Sequence, residues 1–126
     1  MRINTAVGGK RADLGDRYFR SRWEANYARY LNWLQRRKEI VRWEYESVSF
    51  AFPVKRGTRF YLPDFRVWVT DTEYEYHEVK GYMDRQSATA LKRMAKYFPH
   101  EKIVLIDAEQ YRAISKWRGL IPGWEG

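Results

Sequence analysis

Cysteine is absent from this chain of 126 residues, and histidine occurs only as His77 and His100. Disulfides, thiolate zinc sites and cysteine nucleophiles are thereby excluded, and a metal could be held only by oxygen or by those two imidazoles. No apolar run approaches the roughly 18 residues that cross a bilayer, and no secretory signal follows Met1. A soluble, intracellular protein without a membrane partner is expected. Internal repeats, low-complexity segments and long blocks of one charge are missing as well, which leaves a single domain of ordinary size.

Acidic residues are outnumbered, 16 Asp+Glu against 24 Lys+Arg, for a net charge of +8. The 44% hydrophobic and 17% aromatic content fits a packed globular core and argues against disorder. So basic a domain is most simply explained by a polyanionic partner, and the interleaving of arginine with aromatic residues favours nucleic acid over a lipid surface. A merely soluble basic protein is the plain alternative.

Residues 1–17 carry Lys10, Arg11 and Arg17 among several glycines and read as a flexible basic arm. Ile3, Val7 and Leu14 would instead suit an arm exchanged in a dimer. Residues 18–126 form the domain. From Ser21 the spacing of Trp23, Tyr27, Tyr30, Leu31 and Leu34 predicts a helix, opened by the Ser21/Glu24 capping pattern. Residues 41–52 read as a strand whose parity fails: Val41, Trp43 and Tyr45 share one face, and Val48, Phe50 and Phe52 share the other. A bulge or bend near Glu46-Ser47 reconciles them. Glu44 and Glu46 are ordinary polar-face residues there, with Glu46, at the bend, the better placed to reach a metal. Pro53 to Gly57 makes a basic turn, and residues 58–62 a strand. Asp84 caps a second helix with Ala88, Leu91, Ala95 and Phe98 on one face, ended by Pro99. Ile103 to Ile106 reads as a parallel strand buried on both faces. A last helix spans 108–118, closed by Gly119, with an exposed or interfacial tail through Trp124.

Between these lies the stretch that carries chemistry. Phe65, Val67 and Val69 alternate in one strand, and Tyr74, Tyr76, Glu78 and Lys80 in the next. The polar Thr70 to Glu73 interval turns the chain back, so the strands lie antiparallel and Asp64 comes near Glu78. Strand period puts Glu78 and Lys80 on one face, roughly 7 Å apart, with Val79 on the other. Two neighbouring carboxylates repel, and a hard divalent cation is the usual way to keep both ionised. The bland reading is that Asp64 begins a turn and Glu78 and Lys80 form a solvated ladder.

Pro63-Asp64, Glu78 fourteen positions after Asp64, and Val79-Lys80 together resemble the PD-(D/E)XK signature of the restriction-endonuclease-like nuclease superfamily. The order helix, three antiparallel strands, helix, strand, helix is similar to that superfamily's αβββαβ core, a mixed central sheet flanked by helices. The resemblance implies a metal-dependent DNA endonuclease in which Asp64, Glu78 and the Val79 carbonyl hold Mg²⁺, with Mn²⁺ able to substitute, while Lys80 serves the reaction. In the phage and archaeal junction-resolving members a glutamate from the first helix joins the metal cluster, and Glu24 fits that position, although capping alone would also explain it. Lys10, Arg11, Arg20, Arg22, Lys55, Arg56, Lys92 and Arg93 are the candidate DNA contacts. By analogy the first expectation is a phage-type Holliday junction resolvase, a homodimer acting inside a bacterial or other prokaryotic cell. A transposon-end or restriction-type nuclease, or a noncatalytic DNA-binding module of the same fold, is the alternative.

Overall fold

The structure, a computed structural model, describes residues 8–126. Helix α1 (Arg22–Arg36) starts where the sequence places its cap, with Ser21 Oγ accepting from Glu24 N at 3.1 Å. The apolar row Trp23, Tyr27 and Leu31 is buried, as the helical spacing requires. Off that row, Asn26 and Arg29 are buried too. Their side of the helix is covered by two segments that local pattern does not reveal.

One is a hairpin of β1 (Gly9–Arg11) and β2 (Arg17–Phe19), joined through a 3₁₀ turn at Ala12–Leu14, which sends Leu14 and Phe19 into the core. The other is the segment 121–126. Asn26 Nδ2 donates to Tyr111 Oη and to the Glu125 carbonyl, both at 2.9 Å, while its Oδ1 accepts from Glu125 N at 2.9 Å. Arg29 donates to Asp13 (2.8 Å) and to Glu125 (2.7 Å). The expectation of a flexible arm over 1–17 is thus corrected for residues 8–17; residues 1–7, with Ile3 and Val7, lie outside the described residues. The tail, expected to be exposed or interfacial, packs within the chain through Trp124, which lies on Tyr111, itself stacked on Trp23 at 4.0 Å.

The single bulged strand expected over 41–52 is two strands, β3 (Arg42–Tyr45) and β4 (Phe50–Ala51). Between them Glu46 adopts φ 49°, a left-handed conformation that ends the ladder. The parity switch in the sequence marks a change of core: Trp43 and Tyr45 pack beneath α1, whereas Phe50 and Phe52 join a second cluster. β4 pairs antiparallel with β5 (Phe60–Tyr61), shorter than the predicted 58–62 strand. β6 (Phe65–Trp68) and β7 (Tyr74–Val79) form the predicted hairpin, closed by Val69 N donating to Glu73 O at 2.9 Å.

Helix α2 (Arg85–Tyr97) is capped by Asp84, whose Oδ1 accepts from Ser87 N at 2.7 Å. β8 (Ile103–Ile106) then runs parallel to β7, and α3 (Ala108–Ser115) follows, opened by an Asp107/Gln110 capping box. β8 is not buried on both faces: it is the edge of a mixed four-stranded sheet ordered β3-β6-β7-β8, and of its residues Ile106 alone is fully buried. α3 stops at Ser115, short of the expected 118, because residues 117–120 wind on in i to i+3 turns. The result is a mixed α/β fold. α1 and α3 share a core with one sheet face, through Phe65, Val67, Val79 and Ile106. α2 and the β4–β5 hairpin share another with Tyr76. No helix among the described residues is long and apolar enough to cross a membrane.

Replacing Asn26 by Leu leaves the Glu125 N–H and one Arg29 N–H without their acceptor. The expected cost is about 2–3 kcal/mol of unfolding free energy by urea titration. A loss near zero would show that the hydrogen bonds between Asn26 and Glu125 add nothing to stability.

Candidate metal centre

The Phe65–His77 pair of the β6–β7 hairpin sets the register, and one step outward along it Asp64 lies opposite Glu78. The fourteen-residue interval is therefore a product of hairpin arithmetic. Glu78 Oε1 approaches Asp64 N at 3.3 Å and accepts from Tyr61 Oη at 2.9 Å. Asp64 Oδ2 accepts from Val79 N at 2.8 Å, so Val79 contributes its N–H to the site. Lys80 Nζ stands 3.5 Å from Glu78 Oε2, on the face that strand alternation assigns it.

Two further carboxylates arrive from the other side. Glu46 N donates to the Asp64 carbonyl at 2.8 Å, which extends the β3–β6 pairing one residue past Tyr45 and brings Glu46 beside Asp64. Glu24 sits in the first turn of α1, and its Oε1 accepts a short hydrogen bond from the Tyr45 hydroxyl. Its carboxylate is thus turned to the cluster while its backbone N–H takes the Ser21 cap. Glu24, Glu46 and Asp64 each offer an oxygen, and these oxygens lie within 4.8 Å of one another. This acidic triad could hold a metal ion, and an all-oxygen donor set of this kind suits a hard cation.

The electrostatics agree with the geometry. Burial pushes the Asp64 carboxyl well above its ordinary range, and the Glu78 and Glu24 carboxylates push it further. The Val79 N–H and Arg20 oppose this without cancelling it. Burial also raises Glu78, against the pull of Lys80 and Tyr61, and raises Glu46 despite the neighbouring Arg20. Buried acids gathered next to one another resist ionising, because burial and like charge both disfavour the carboxylate form.

Of the residues singled out in the sequence, Asp64, Glu78, Lys80 and Glu24 are brought together. Glu46 joins them because the left-handed turn falls on it, a matter of backbone conformation that alternation could locate only as a bend. Tyr45 and Tyr61, which position Glu24 and Glu78, carry no motif and escape sequence reasoning. The candidate DNA contacts divide. Lys10, Lys55, Arg56 and Lys92 are exposed. Arg11 is buried with Nε 2.8 Å from Glu125, which corrects its expected role to a structural one. Arg22 donates to the Gly126 carbonyl at 2.9 Å, and Arg93 bonds the carbonyls of Thr58 and Arg56, bracing the basic turn. Arg20 lies among the carboxylates, 2.9 Å from Asp64 and 2.8 Å from Glu46.

Comparison of the chain with protein-family models, curated proteins and solved structures gives no significant match.

Because Asp64 holds its proton more tightly when folded, unfolding releases that proton once the pH passes its ordinary value of 3.8, and stability falls as pH rises. In EDTA, Asp64→Asn should melt at a higher temperature than the parent chain near pH 8, with the gap closing toward pH 4. Coincident melting curves across that range would mean that Asp64 is not destabilised by its neighbours.

Proposed function

We propose that this chain is a divalent-metal-dependent DNA endonuclease with a restriction-endonuclease-like core. The reading rests on one observation: Asp64, Glu78 and Lys80 meet a helix glutamate, Glu24, at one end of a mixed sheet. The strand order β3-β6-β7-β8, antiparallel across the first three and parallel at the last, is compatible with that core. Asp64, Glu24 and Glu46 would hold Mg²⁺ or Mn²⁺, with Glu78 beside them. Such an ion supplies Lewis-acid polarisation of the scissile phosphate and a lower pKa for the attacking water.

The chain's own groups do the rest. Tyr61 and the Asp64 N–H fix one oxygen of Glu78, so that its other oxygen faces Lys80. Lys80, a quarter exposed, places an ammonium where charge grows on the phosphate in the transition state. The net charge of +8 provides the attraction for a polyanion that the carboxylates alone would repel.

Branched DNA, and a four-way junction first, is the substrate class we favour. A cleft of about 270 Å³ beside the site is lined by Lys80, Glu78, Arg20, Phe60 and Leu62. Phe60, just past the basic turn, is 60% exposed there. An exposed aromatic face beside a phosphate site suits bases unpaired at a branch, where stacking is sequence-tolerant. A symmetric junction calls for a two-fold dimer.

Incubation with Mg²⁺ and labelled four-way junction, duplex, flap and single-stranded DNA tests the proposal. The parent chain should cut the junction. Asp64→Asn should bind it yet cut at least about a hundredfold more slowly, the scale of charge stabilisation that goes with the ion. Glu24→Gln should also slow cutting. Equal cutting of plain duplex would overturn the junction assignment alone, while binding with no cutting in Mg²⁺ or Mn²⁺ would favour a noncatalytic DNA-binding module.

A further inference from the structure

Arg20 is the one cationic side chain that touches every member of the acidic triad among the ion pairs of the described residues. Its Nη2 donates to Asp64 Oδ1 at 2.9 Å, its Nε stands 2.8 Å from Glu46 Oε2, and the same Nε is 3.8 Å from Glu24 Oε1. These are the same three residues whose oxygens gather within 4.8 Å. A guanidinium and a divalent ion would therefore draw on one set of lone pairs and repel each other across it.

The arginine is also built to leave. Its side chain is 54% exposed although the side chain of its partner Asp64 is 2% exposed, so it lies over the buried carboxylates from the solvent side. Arg29 is the contrast, at 5% exposure and held between Asp13 and Glu125 inside the fold. Arg20 sits two residues before α1, where its backbone N donates only a long bond, 3.4 Å, to the Tyr45 hydroxyl. It already borders the cleft shared with Lys80.

We infer that Arg20 is the resident counter-cation of this site, which a divalent ion displaces on binding, and that the displaced guanidinium becomes a ligand for DNA phosphate in the adjoining cleft. This rests on the metal reading above and adds a role for one residue within it. Before metal arrives, Arg20 offsets the repulsion among Glu24, Glu46 and Asp64 and keeps them assembled. Once the ion holds the carboxylates, the freed guanidinium offers a planar fork of donors, the geometry that suits phosphate. Metal and DNA are thereby coupled: the ion releases the group that binds phosphate, and phosphate holding that group away leaves the carboxylates to the ion. Such coupling must be reciprocal.

The test uses the full chain with Mn²⁺ alone, without DNA, and reads the free ion by electron paramagnetic resonance. Arg20→Gln removes the charge while keeping a polar side chain, and Arg20→Ala removes the group entirely; a melting curve in EDTA selects whichever variant is folded. The folded variant should bind Mn²⁺ about tenfold or more tightly than the parent chain. If the parent binds Mn²⁺ and the variant binds it equally or more weakly, displacement of Arg20 is overturned while the metal site stands. If neither chain binds Mn²⁺, the metal reading itself falls and takes this inference with it. A second arm titrates labelled four-way junction with and without Ca²⁺. The ion should strengthen binding by the parent more than by the variant, and an equal gain in both would overturn the phosphate half of the inference.

Discussion

The rest of this structure is arranged around a constraint of like charge: several carboxylates share one end of a sheet, and the most buried of them, Asp64, is 1% exposed. An isolated ionised acid at that depth is costly, and a second within hydrogen-bond range makes it more so. The fold answers with directed donors. Val79 N serves Asp64, Tyr61 Oη serves Glu78, Tyr45 Oη serves Glu24 and Arg20 serves Asp64 and Glu46. The first three come from β7, β5 and β3, Arg20 comes from the segment before α1, and Glu24 itself sits in α1, so the cluster exists only when all of these are in place. The two tyrosines illustrate how such support is divided. Each sits in an apolar cluster or packs against one, and each lends its hydroxyl to an acid, so packing and charge placement are carried by the same side chain.

Much of this was legible in the sequence, for reasons that can be traced residue by residue. Alternation identified β6 and β7, and the short polar turn between them fixed Asp64 opposite Glu78, because a hairpin's register follows from its turn. Helical spacing and the caps at Ser21 and Asp84 located α1 and α2. The parity change at Glu46-Ser47 located a break. It did not reveal that the chain there passes from one core to the other.

What stayed hidden depended on tertiary cover. The run Ile103 to Ile106 has the composition of a strand enclosed on both faces, yet it forms a half-covered edge, since an apolar run does not say how many layers flank it. Asn26 and Arg29 lie off the apolar row of α1, where helical spacing gives no sign of cover. They are buried because Glu125, about a hundred residues away, completes their hydrogen bonds. Nothing in the spacing of Arg20 shows that it pairs with Glu24, Glu46 and Asp64. A tally of positive charge does not pair each one with the acid that the fold brings beside it, and Arg11, buried against Glu125, is a second case.

The backbone at position 46 carries a further consequence. An L-residue at φ 49° is disfavoured by roughly 1–2 kcal/mol, a strain that glycine would relieve. Selection of this chain for heat resistance alone would favour glycine there, and with the glutamate would go one of the three carboxylates that could hold an ion. The backbone's preference and the acidic cluster pull in opposite directions at a single peptide unit, so thermal hardening that keeps the cluster would have to begin somewhere else.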